Sequence, residues 1–341
     1  MAMTRKYARL VYLLVAMLLV SSLWIAGLPI DVKAKATFPE VSTLTLASNE
    51  GWVGDLVVKG DYIYAGLVTS PGKVVKINPT TFAPLSTLTL ASSENFSNNL
   101  AVKGNYLYAG LYSSPGKVVK IDLANFTEVE TLTLAPGYTN VRALAVNGND
   151  LYAGLGLGLG QVVKIDLADF TEVETLTPIL GGHGVLSLVV KGKYLYAGIE
   201  ATPGKVVKID LANFTEVETL TLAPREEVVH SLAVKGNYLY AGVGPGKVVK
   251  IDLADFTEIS ALTMASCIVY DLAVDDNYLY AGLEGTPGKV VKIKLSDFTE
   301  VSTLTLTPGE DYVKTLAVKG NYLYAGLLTI PGKVVKIGSV P

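Results

Sequence analysis

The sequence predicts an all-β fold, a seven-bladed β-propeller of four-stranded antiparallel blades, and three observations carry that prediction. A Tyr-Ala-Gly step, a Val-Val-Lys-Ile step and a phenylalanine each occur seven times, in a constant order. Each full repeat holds four short stretches rich in β-branched and aromatic residues, bounded by turn chemistry. The repeat material begins with a lone fourth stretch and ends without one, so the two ends complement each other.

Tyr-Ala-Gly starts at Tyr64, Tyr108, Tyr152, Tyr196, Tyr240, Tyr280 and Tyr324, with spacings of 44 residues apart from one of 40. The lysine of Val-Val-Lys-Ile is Lys76, Lys120, Lys164, Lys208, Lys250, Lys292 and Lys336. The phenylalanine is Phe38, Phe82, Phe126, Phe170, Phe214, Phe256 and Phe298. A fixed period of this size marks a repeat architecture.

In the second unit the predicted strands are Asn99–Lys103, Tyr106–Leu111, Lys117–Leu123 and Val129–Leu134. Lys103-Gly104-Asn105 suits a tight hairpin with positive φ. Ser114-Pro115-Gly116 suits a turn with proline first and glycine second. Asp122-Leu123-Ala124-Asn125 supplies side chains that bond back to nearby backbone. Four hairpin-linked strands per repeat predict a propeller blade. Thr37–Ala47 matches a fourth strand, and Lys314–Ile337 matches strands one to three. The N-terminal strand is therefore expected to complete the last blade and close the ring, where an open solenoid would carry polar caps instead.

The tyrosines of each second strand, such as Tyr106 and Tyr108, read as inter-blade packing rather than a stacking platform. In the third unit Asp150 replaces the first of them. Lys117 and Lys120 are expected to pair across strands with Glu128 and Glu130.

Half of the 341 residues are hydrophobic and 17% are charged, which predicts a large core. Residues 1–36 carry five cations and one anion, leaving the rest of a −3 chain at −7. An acidic body argues against nucleic-acid binding. Residues 1–36 read as a signal peptide: a basic start at Arg5, Lys6 and Arg9, an apolar run from Leu10, and Ala34-Lys35-Ala36 as the cleavage site. The alternative is an uncleaved anchor, the only route by which the chain would meet a membrane. Both place the propeller, residues 37–341, outside the cytoplasm as a secreted or cell-surface protein. One cysteine, Cys267, allows no intrachain disulfide.

The stretches Leu107-Tyr108-Ala109, Val118-Val119-Lys120-Ile121-Asp122 and Glu130-Thr131-Leu132-Thr133-Leu134 resemble the YVTN-type repeat of surface-layer-like propellers. The resemblance covers residues 37–338. It implies extracytoplasmic placement, binding or surface roles, and sometimes metal-dependent lactonase relatives. Ala-Gly follows Tyr108 where that family has Thr-Asn. No repeat pairs the Gly-His and Trp-Asp signatures of WD40 repeats: Gly-His occurs once, at Gly182-His183, and Trp-Asp not at all.

Alternate connections fall on opposite rims. The rim of first-to-second and third-to-fourth turns is monotonous, whereas the other differs from unit to unit. Function concentrates on loops held by a rigid scaffold. The candidate ligand-binding residues on the variable rim are Arg142, His230, Tyr270 and Lys314, with Trp52 and His183 in neighbouring loops. The first four suit a polar or anionic ligand. Asp55, Asn99 and Asp271 are weak candidates for calcium, the one cofactor considered, because Ala143, Ser187, Ser231 and Thr315 fill the matching positions. Two histidines and one cysteine do not make a conventional zinc site. The glycine run Gly154–Gly160 opens no helix, so it reads as a long hairpin loop with exposed leucines and not as a phosphate loop. Asn95, Asn125 and Asn213 begin glycosylation sequons.

These features point first to a non-enzymatic binding module for a protein or glycan at the cell envelope. The alternatives are a metal-assisted, lactonase-like hydrolase at the channel mouth and a structural surface-layer component.

Overall fold

A computed structural model of the chain describes residues 38–157, 160–177, 184–264 and 267–338, with the side chains of 96–98 and 157 excluded. The described residues form 28 strands in seven four-stranded antiparallel sheets. Blade 2 is representative, with strands Phe96–Lys103, Tyr106–Leu111, Lys117–Asp122 and Thr127–Thr133 in sequential order. Blade 7 combines Val313–Lys319, Tyr322–Leu327 and Lys333–Gly338 with Glu40–Thr45 from the other end of the chain. That pairing is antiparallel, from Glu40 opposite Ile337 to Thr45 opposite Lys333. The expected ring closure is thus present.

The turns follow their residues. Gly104 has φ 57°, and its equivalents Gly60, Gly148, Gly192, Gly236 and Gly320 lie between 55° and 60°. Blade 6 has Asp275-Asp276-Asn277 instead, and Asp275 Oδ1 accepts from the backbone N–H of Asn277 and Tyr278, both at 2.7 Å. In the third-to-fourth turn, Asp122 Oδ1 accepts from Ala124 N at 2.6 Å. One turn differs from expectation. Pro115 follows a cis bond, as do Pro71, Pro203, Pro245, Pro287 and Pro331. X-Pro is the one peptide type for which the cis form is inexpensive.

Contacts between blades explain the repeated residues. Each Tyr of Tyr-Ala-Gly packs on the phenylalanine of the next blade, with ring centroids 5.5–5.9 Å apart in all seven pairs. The seventh pair, Tyr280 with Phe38, joins blade 6 to the N-terminal segment. Six of the phenylalanines sit at φ 48–53°. A bulky residue reaches that region only at a cost of roughly 1–3 kcal/mol. Burying the ring between blades offsets it, since an aromatic side chain removes about 150–250 Å² from water.

The glycine of Tyr-Ala-Gly answers to close approach. At Gly110, Gly154, Gly198, Gly242, Gly282 and Gly326, an added Cβ would lie 2.5–2.8 Å from Cγ1 of the next blade's first-strand valine. Those valines, from Val53 to Val313, are wholly buried.

The central lysine corrects an expectation. Lys120 lies opposite Glu130 in register, but its ammonium sits 4.8 Å from the centre of the Tyr106 ring. Lys76, Lys208, Lys250, Lys292 and Lys336 stand 3.9–4.6 Å from the equivalent tyrosines. In blade 3, where Asp150 replaces that tyrosine, Lys164 pairs with its carboxylate at 3.2 Å. The aromatic face wins because the ring covers the lysine stem as well as attracting its charge. Glu128 instead accepts from the Thr131 hydroxyl at 3.1 Å.

Each fourth strand is bulged where Lys120 faces Glu130 and Ile121 faces Glu128, which leaves Val129 53% exposed between them. A bulge flanked by charges blunts a free sheet edge.

Gly198→Ala is expected to destabilise the protein by about 1–3 kcal/mol, because Val229 cannot retreat without opening the next blade. Chemical denaturation measures this, and an unchanged midpoint would refute the close-approach account.

Candidate functional site

The variable rim is stitched together by its backbone. Six second-to-third turns donate to the loop that enters the next blade, among them Gly72 N to Glu94 O at 2.6 Å, Gly204 N to Glu226 O at 2.6 Å, and Gly332 N to Glu50 O at 2.9 Å. Loops that differ from blade to blade are therefore held on a fixed ring around the channel mouth.

Arg142, His230, Tyr270 and Lys314 meet there, lining one cavity of about 300 Å³. His230 packs edge-on to Tyr270, with centroids 6.2 Å apart, and the Lys314 ammonium lies 4.9 Å from the centre of the Tyr270 ring. Trp52 does not line this cavity. It lines a neighbouring one of about 600 Å³, which Arg142, Tyr270 and Lys314 also border. The two cavities form one depression with a shared cationic and aromatic wall. His183 lies outside the described residues.

Burial pushes the His230 imidazole down to about 4, helped by the charges of Lys314 and Arg142, so it is neutral at physiological pH. It is a neutral hydrogen-bonding group, not a third cation. Burial also lowers Lys314 from the usual lysine range, against the pull of Asp271 and Asp55. Burial raises the Tyr270 hydroxyl, with Glu284 adding to the effect. Among the described residues, neither Arg142 nor Lys314 has a carboxylate oxygen within ion-pair distance.

Asp55, Asn99 and Asp271, the weak calcium candidates, make hydrogen bonds between blades. Asp55 Oδ2 accepts from Leu100 N of the next blade at 2.7 Å, and Asp271 Oδ2 from Leu316 N at 2.7 Å. Two of the four matching residues do the same: Ser187 Oγ accepts from Leu232 N at 2.9 Å, and Thr315 Oγ1 from Leu56 N at 3.2 Å, whereas the buried Ser231 hydroxyl has no partner and Ala143 has no polar group. Asn99 Nδ2 donates to the Arg142 carbonyl. At Asp55, Asp271, Ser187 and Thr315 the position is an inter-blade latch. Burial, then the neighbouring Asp271 charge, pushes Asp55 up to about 7, and burial pushes Asp271 up to about 6.

Three contributions to the site escape a residue-by-residue reading. The residue after the second strand's last leucine or its equivalent is Val68, Tyr112, Gly156, Glu200, Gly244, Glu284 and Leu328 around the ring. Tyr112 lines the larger cavity and Glu200 the smaller. Gly156 makes room for Arg142, whose stem a Cβ there would strike. In the glycine run, Leu155 is buried and not part of an exposed patch, while residues 158–159 lie outside the described residues. The signal was available: this one position changes in every unit while the residues before it repeat.

The latch has a pH signature. Asp55 is raised from 3.8 to about 7, so the folded state binds the proton more tightly than the unfolded state. Its contribution to stability is greatest at low pH and falls as pH rises from about 4 to 7. His230, lowered from 6.5 to about 4, acts in the opposite direction over much of that range. The comparison of wild type with Asp55→Asn isolates the aspartate. The wild-type advantage in melting temperature is expected to shrink from pH 4 to pH 8, and a constant difference would refute the raised acid. No protein-family model matches the chain, and no curated protein matches it.

Proposed function

We propose that this propeller is a non-enzymatic binding module, placed outside the cytoplasm, that captures an anionic ligand at the mouth of its variable rim. The observation that carries this reading is the pair Arg142 and Lys314. Both are half-buried, both border the whole depression, and neither is neutralised by a carboxylate at ion-pair distance among the described residues. Holding a cation away from water costs free energy unless a partner compensates. A ligand carboxylate, sulfate or phosphate would be that partner, with arginine offering a two-pronged donor.

The neutral His230 and the Tyr270 hydroxyl supply further hydrogen-bonding groups beside the cations. The aspartates nearby do not counter them directly, since Asp55 and Asp271 are turned to backbone N–H groups of adjacent blades. That arrangement also leaves a metal-assisted hydrolase without an uncommitted set of ligands at these positions. Extracytoplasmic placement rests on the basic-apolar-small pattern of residues 1–36 and on the resemblance to YVTN-type surface propellers.

Immobilised dextran sulfate, polygalacturonate and polyphosphate, with neutral dextran as control, test the capture of anions. At least one polyanion is expected to bind, to weaken as salt is raised, and to weaken at least tenfold in the double variant Arg142→Ala/Lys314→Ala. Undiminished binding by that variant would overturn the site. For placement, protein recovered from the medium or envelope of expressing cells is expected to begin at Thr37. An intact N-terminus on the membrane fraction would instead indicate the anchor.

A further inference from the structure

The larger cavity has a second chemistry beside its charge. Trp52 is 41% exposed and Tyr112 is 50% exposed, although both are large aromatic residues. They come from adjacent blades and line the same cavity of about 600 Å³. Such a volume is within the range of small-ligand sites, about 300–1,000 Å³. Between and beside the rings stand hydroxyl and amide groups, Thr69, Ser70 and Asn95. The Thr69 hydroxyl is buried with no hydrogen-bond partner in the protein. Arg142 and Lys314 close the end nearest the channel.

The mouth is also divided by sector. After the second strand, blades 7, 1 and 2 present Leu328, Val68 and Tyr112, whereas blades 4 and 6 present Glu200 and Glu284. An anion on the aromatic side meets the cations without passing the acidic side.

From this juxtaposition we propose that the captured ligand is a sugar acid, a pyranose carrying a carboxylate, as in a uronic-acid oligosaccharide. A pyranose has a face of C–H groups that packs on an aromatic ring and an edge of hydroxyls for Thr69, Ser70 and Asn95. Its carboxylate meets Arg142 and Lys314. A planar aromatic anion would match the rings and the charges but leave the hydroxyl and amide groups without partners. Leaving polar groups of a desolvated site unpaired is what costs such a ligand its affinity. The inference rests on the anion-capture reading and assigns its substrate class.

Calorimetry with the whole propeller separates the two. The probes are trigalacturonate, a mannuronate-guluronate trimer, neutral galactotriose, and tricarballylate as a tricarboxylate without a sugar. At least one sugar acid is expected to bind tenfold or more tighter than galactotriose and than tricarballylate. Trp52→Ala and Tyr112→Ala, both at exposed positions, are each expected to weaken the sugar acid at least tenfold while leaving tricarballylate unchanged. Trp52 is the only tryptophan after residue 36, so its fluorescence is expected to change on binding, including in Tyr112→Ala at saturating ligand. If tricarballylate binds as tightly as the sugars, or both aromatic variants bind sugar acid normally, the sugar assignment fails and anion capture stands. If galactotriose matches the sugar acids, anion capture fails and the assignment of an acid fails with it. If no anion binds, both fall together.

Discussion

The close packing of one blade against the next is the constraint on which everything else depends. A four-stranded sheet of this size cannot bury both faces alone, and each blade here borrows its second cover from its neighbour. The approach is tight enough that in six of the seven blades the middle glycine has no room for a methyl group where the next blade's valine stands. Around that contact the Tyr–Phe pair and the lysine over its tyrosine form a repeated stack. The left-handed phenylalanine is the local cost, and it is tolerated because the ring has nowhere better to go. A ring multiplies the requirement: with no free end, every interface must hold the same geometry, and so the repeats are nearly identical in these residues.

How much of this is legible in the sequence depends on where each partner lies. Strand number and turn positions are set by residues within one repeat, and ring closure by the lone fourth strand at one end of the repeats and the missing one at the other, so all three can be read directly. Gly104 and Asp122 do locally what their residue types dictate. The partner of Asp55 lies beyond that reach, and Lys120 has two rivals within it, Glu130 and Tyr106. In-sheet register places Lys120 opposite Glu130, and only the neighbouring ring on its own face explains why the pair does not form. The exchange of Tyr for Asp150 was the clue, because only at that blade does the lysine gain a carboxylate in its place. Asp55 bonds to a backbone group 45 residues away, and a backbone N–H leaves no mark in a sequence.

The candidate site is legible to the same degree and for the same reason. Four of the rim residues selected for their divergence, Arg142, His230, Tyr270 and Lys314, share one cavity, because equivalent positions in a ring converge on its axis. Their protonation did not follow from their identity. His230 is neutral because it is buried, with the charges of Lys314 and Arg142 adding to the effect. Tyr112 and Gly156 contribute through space that only the assembled ring defines. Gly156 looks like part of a flexible run, yet it leaves the volume that the Arg142 stem requires.

The latch and the site make opposite demands on the same few residues of each first strand, and their arrangement reconciles the two. The latch side chain projects toward the next blade and bonds to its backbone, so a carboxyl group there can be deeply placed. The residue before it faces the mouth and is free to vary, because nothing in the ring depends on it. A β-bulge separates the two: the ladder register shifts between Val141 and Ala143 and between Val313 and Thr315, so Arg142 and Lys314 are the unpaired residues and are aimed apart from the latch. Arg142 can therefore serve a ligand while Ala143 forgoes the latch, and Lys314 can do so while Thr315 keeps it. A scaffold whose stability resides in one set of positions can change its ligand through the other, which is why divergence collects on this rim without disturbing the blades beneath it.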